Sequence, residues 1–168
     1  RPYHGATSIL NTTLPEITWQ ERFEYFDESI NSFDQLANYP RAVLFQQLKD
    51  HWQQLPLSDA ENSLRIVETE AKNALHADPQ QWRTYVSLAY LYQRSYSLNP
   101  VLLERARAYI EIASELAPER VEIYQAMAMQ QVVEGDFEGA SGTIDQYLEL
   151  SPDAAFYFKN IEILIASG

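Results

Sequence analysis

Two stretches of the chain repeat one spacing, and that repetition constrains the fold more than any other feature. The first runs Tyr85-x-x-Leu88-Ala89-x-x-Tyr92, continues as Ala106-x-x-x-Ile110 and closes at Pro118. The second runs Tyr124-x-x-Met127-Ala128-x-x-Gln131, continues as Ala140-x-x-x-Ile144 and closes at Pro152. The two prolines lie 34 positions apart. Residues spaced by three, four and seven share one face of a helix, so each copy reads as two helices, A and B. Ala89 and Ala128 stand where helix A passes closest to helix B, and Ala106 and Ala140 do the same from the other side. A larger side chain there would push the axes apart. Leu88, Ile110, Met127 and Ile144 fill the space around them. A helical pair of this size cannot bury its own apolar face, so neighbours must stack. The fold class is therefore all-α.

The joints between helices are readable too. Gly135 stands where a helix ends and positive φ is needed, which glycine adopts most cheaply. Asp136 follows as a cap for the next helix. Gly135, Gly139 and Gly142 do not form a phosphate loop, because no strand precedes them and no Lys-Ser/Thr pair follows. Upstream, Val67, Ala71, Ala74 and Pro79 sit at helix B positions of a third, degenerate copy. Pro79 and Pro118 are 39 positions apart, five more than the period. The helix A register places the excess between Tyr92 and Ala106, around Ser95 to Pro100, with Asn99 capping the helix after it. Nearer the start, Thr18-x-x-Glu21 and Ser58-x-x-Glu61 read as capping boxes. Trp19, Phe23, Phe26 and Ile30 form one apolar stripe. Helices are expected near 19–32, 40–54, 59–77, 80–96, 100–117, 119–133, 137–149 and 153–166. Residues 1–14 read as a short apolar stretch broken by Pro15, and 31–38 as a polar connector.

Composition excludes several functions. With 168 residues and a net charge of −12, the chain lacks the basic face that nucleic acid or an anionic membrane surface requires. The segment 121–154 contains no Lys or Arg. With no cysteine there is no disulfide framework, thiolate chemistry or thiolate zinc site, which fits an extracytoplasmic setting. No apolar run approaches the ~18 residues that would span a membrane. His4, His51 and His76 have no second His or Cys at ligand spacing. Glu68 and Glu70, two apart on a helix, do not face each other. No catalytic residue, metal site or cofactor is expected, and the chain reads as a non-enzyme.

The repeated spacing resembles the tetratricopeptide family, clearly over 82–120 and 121–154, loosely over 58–81, and with the start of a further or capping helix over 155–168. Residues 1–57 form an N-terminal helical segment of degenerate pairs. The resemblance implies a right-handed superhelix of about four stacked antiparallel helix pairs whose A helices line a concave groove. The residues flanking the motif on that side are Arg83, Val86, Tyr90 and Gln93 from one copy and Glu122, Gln125, Met129 and Val132 from the next. The implied partner is a protein or peptide ligand, extended or helical. Members of the family that clamp a terminal carboxylate use Lys and Asn, and Val86 and Tyr90 occupy those positions here, so that clamp is not expected.

A second resemblance covers more of the chain. Arg1-Pro2, Phe23-Glu24-Tyr25-Phe26-Asp27-Glu28-Ser29-Ile30, Tyr39-Pro40-Arg41-Ala42-Val43, the Ser58 helix, Trp82-Arg83-Thr84-Tyr85-Val86-Ser87-Leu88-Ala89, Leu91-Tyr92-Gln93 and Leu98-Asn99-Pro100 follow one another in an order similar to the soluble C-terminal tail of O-antigen ligase and polymerase-like bacterial membrane proteins. That resemblance implies an interaction scaffold in the cell envelope, attached to the membrane only through a segment upstream of Arg1, with the glycan chemistry outside these residues. A free-standing tetratricopeptide adaptor in envelope assembly is the alternative. The opening at Arg1-Pro2, the nearly uncharged start and the closing Ile163-Leu164-Ile165 read as a piece of a longer chain.

Overall fold

In the computed structural model, residues 2–14, 16–32 and 38–167 are described. Among them there are nine α-helices, two 3₁₀ segments and no strand. The chain divides into two compact units, Arg1–Ala77 and Asp78–Gly168.

The first unit contains α1 (Pro2–Asn11), α2 (Trp19–Ser32), α3 (Asn38–His51), a 3₁₀ turn over Trp52–Gln54 and α4 (Leu57–Ala77). α1 is a helix beyond those the spacing predicts, because its sequence carries Gly5 and no helix-start signal. Its end is fastened from outside. The Arg22 guanidinium donates to the carbonyls of Thr12 and Leu14, placing a cation where the unpaired carbonyls of a helix end collect. Ser8 donates to Glu28 on α2 at 2.7 Å.

α2 begins at the capping box the spacing predicts. The Glu21 amide donates to Thr18 Oγ1 at 3.2 Å, and the Thr18 amide donates to Glu21 Oε2 at 2.7 Å. The second expected box does not form. α4 starts at Leu57, with the Pro56 carbonyl accepting from the amides of Asp59 and Ala60. Ser58 therefore lies inside the first turn, and its hydroxyl turns to Asp59. Val67, Ala71 and Ala74 share the buried face of α4, which belongs to the first unit. Phe26, Leu44, Leu48 and Trp52 complete that unit's core. Of the connector expected over 31–38, Asn31 and Ser32 end α2 and Asn38 opens α3, while 33–37 lie outside the described residues.

The second unit contains α5 (Trp82–Ser95), α6 (Val101–Leu116), α7 (Val121–Val133), α8 (Phe137–Leu150), a 3₁₀ segment over Pro152–Phe158 and α9 (Lys159–Ser167). α5 packs on α6 and α7, and α7 packs on α6, α8 and α9. Ala89, Ala106, Ala128 and Ala140 each have 0% exposure. Asn99 caps α6, its Oδ1 accepting from the Val101 amide at 3.1 Å. Gly135 has φ +80°. Its amide donates to Val132 O and the Asp136 amide to Gln131 O, the paired closure that satisfies the last carbonyls of α7. Asp136 then caps α8 by accepting from the Gly139 amide at 2.9 Å.

The single helix expected over 153–166 is divided. The chain winds as 3₁₀ from Pro152 to Phe158 and as α-helix afterwards. Short tight turns are common at helix starts. Here the winding brings Ala154, Phe158 and Ile161 onto a core with Ala128, Ala140, Ile144 and Tyr147.

Candidate functional site

The eight residues expected to line a groove all lie on α5 and α7, helices that pack against each other. Their exposures differ widely. Arg83 is exposed, its guanidinium 4.4 Å from the centre of the Trp82 ring. Glu122, Tyr90, Gln125, Met129 and Val132 are half-buried. Val86 and Gln93 are buried. The open part of this face is thus Arg83 and the half-buried side chains, with Val86 and Gln93 beneath.

Several of these residues hold the two helices together. Tyr90 donates its hydroxyl to the Glu122 carbonyl at 3.4 Å. Burial raises the Tyr90 phenol well above the ordinary tyrosine range, and the Glu122 charge adds to the effect, so this group stays a neutral donor. Gln93 Nε2 donates to the Ala126 carbonyl at 2.8 Å and to Gln130 Oε1 at 3.1 Å. Gln130 in turn donates to the Leu103 carbonyl and to Glu134, which pairs with Arg107 at 2.7 Å. A polar ladder thus links α5, α6 and α7, buried at Gln93 and Gln130 and reaching the surface at Glu134 and Arg107. Sequence spacing marks Gln93 as groove-facing and carries no sign of this ladder, because a glutamine reads as surface until a buried carbonyl is found beside it. Gln125 donates to the Tyr157 carbonyl of the 3₁₀ segment. Met129 and Val132 pack against the closing core.

Among the described residues no three His, Cys, Asp or Glu side chains approach closely enough to hold a metal ion. His51 lies in α3, its Nδ1 2.9 Å from the Gln47 carbonyl, and His76 lies in the last turn of α4. Among the described residues no helix is long and apolar enough to cross a membrane. Comparisons with family models, with curated proteins and with solved structures return no match.

Proposed function

We propose that this chain is a non-catalytic interaction scaffold of the tetratricopeptide type, and that it serves as the soluble tail of a membrane protein resembling O-antigen ligases and polymerases. The observation that carries the scaffold reading is the behaviour of Ala89, Ala106, Ala128 and Ala140. All four are fully buried, two in each of two helix pairs whose closing prolines are 34 positions apart. Small residues at repeated crossings are what a stack of such pairs needs. The right-handed superhelix, and a groove over Arg83, Tyr90, Glu122 and Gln125 that takes a peptide, follow from the same reading. Attachment to a membrane glycan-transfer protein rests on the order of segments along the chain, and a free-standing envelope adaptor is the rival.

On this reading the scaffold acts by positioning, and the sugar transfer belongs to another part of the complete gene product. The test compares glycan ligation in membranes by the complete gene product, by the same product lacking residues 1–168, and by the purified chain. The expected result is full activity, reduced activity and none, in that order. Turnover by the purified chain would overthrow the scaffold reading. A complete gene product without membrane segments would leave the free-standing adaptor as the better account.

A further inference from the structure

The first unit carries a second candidate surface, unrelated to the face on α5 and α7. An open cleft of about 360 Å³ runs between α2 and α4, with α3 beneath it. Its floor is apolar and buried: Phe26 and Ile30 from α2, Leu44 from α3. Phe23 and Ile66 stand half-buried at its sides. The α2 stripe that begins at Trp19 and Phe23 is therefore only partly covered by its own unit. The α4 side is a straight line of Asn62, Ile66 and Glu70, four residues apart each time, so it extends about 12 Å along the helix.

The rim of the cleft carries one sign of charge. Glu24 and Asp27 border it on α2 and Glu70 on α4, and among the described residues no Lys or Arg lines it. Glu70 is already committed, accepting from Arg41 Nε at 2.9 Å and from Asn73 Nδ2 at 3.3 Å. Glu24 and Asp27 are exposed and have no hydrogen bond or ion pair among the described residues. Carboxylates bordering an apolar cleft favour an occupant that is cationic beside its apolar group. An anionic occupant, or a nucleic acid, is repelled by the same two charges.

We infer that the α2–α4 cleft binds a basic amphipathic peptide segment, which lays a large apolar side chain between Phe23 and Ile66, above the buried floor, and sets Lys or Arg against Glu24 and Asp27. The straight α4 wall matches two turns of a helix laid alongside it, with anchors recurring every three or four residues. This site does not depend on the scaffold reading of the second unit.

The experiment titrates the full chain with a fluorescent amphipathic peptide built only from Leu and Lys, followed by anisotropy. Saturable binding that weakens with added salt is expected. Glu24→Lys with Asp27→Lys, both at exposed positions, should weaken it by about tenfold or more. Glu138→Lys with Asp145→Lys, an equal change of charge on α8, should leave the affinity within about twofold. Circular dichroism establishes that both double variants are folded. An equally charged Ser/Lys peptide binding as tightly would reduce the effect to bulk charge and overturn the inference. So would equal weakening by the α8 pair, or no saturation. Sedimentation that shows a dimer abolished by Ile66→Lys would give the cleft to a second copy of this chain instead.

Discussion

Four alanines set the spacing of the second unit. Ala89 and Ala128 have no exposed surface, and neither do Ala106 and Ala140. Leucine in place of Ala89 or Ala128 adds three heavy atoms where no room exists. Ala89→Leu and Ala128→Leu should each lower stability by about 1–3 kcal/mol. Urea unfolding followed by circular dichroism measures this, and an unchanged midpoint in both variants would refute the close crossing. These positions were legible in the sequence, because a small residue recurring at one register of a repeat marks the point where two helix axes approach. The inward turn of Gln93 was not legible. Its burial depends on the Ala126 carbonyl, which lies 33 positions away and is brought close only by packing.

At the scale of the element, helix ends follow local chemistry more closely than helix faces do. The Thr18 and Glu21 box is local, and it forms as the sequence predicts. Hydrogen bonds from Thr18, first from its backbone amide and then from its hydroxyl, lower the Glu21 carboxyl below the ordinary glutamate value of 4.5. A lowered folded value makes this contribution fully present above the ordinary value. It is lost as pH falls through the folded one. Thr18→Ala should lower stability by about 1 kcal/mol at pH 7. The gap between variant and parent should narrow, without vanishing, as pH falls through the glutamate range, because only the hydroxyl's bond to the carboxylate is lost in acid while the Glu21 amide still donates to Thr18 Oγ1. Thermal melts from neutral to acid pH check this, and a gap that widens in acid would refute the assignment. The Ser58 box fails for an equally local reason. The Pro56 carbonyl starts α4 two residues earlier, which carries Ser58 past the capping position. α1 was not legible because its end is held by Arg22, a residue of the next helix.

On the scale of the whole molecule, the chain forms two compact units. The second contains both clear copies of the repeat. It also contains the closing core of Ala154, Phe158 and Ile161 on α7 and α8. Residues 78–168 should therefore fold without the first unit, with a helical circular dichroism spectrum and one cooperative transition. Ala89→Leu should cost that fragment the same as it costs the full chain, within about 0.5 kcal/mol. A fragment without a cooperative transition would show that the second core is incomplete by itself.

The sequence by itself determined α5 to α8 of the second unit, the buried alanines, the glycine at Gly135 and the caps at Thr18, Asn99 and Asp136. Each depends on neighbours a few positions away, where spacing and side-chain type fix the geometry. Only the tertiary structure decided which sides of α5 and α7 stay open. α5 is covered by α6 and α7 together, so its buried residues run from Thr84 through Val86, Leu88, Ala89, Leu91, Tyr92 and Gln93 to Ser95. A helix covered on two sides has no single apolar stripe from which its open side can be read. The cleft between α2 and α4 has the same origin. Its carboxylates and its apolar floor come from three helices, and packing alone brought them together.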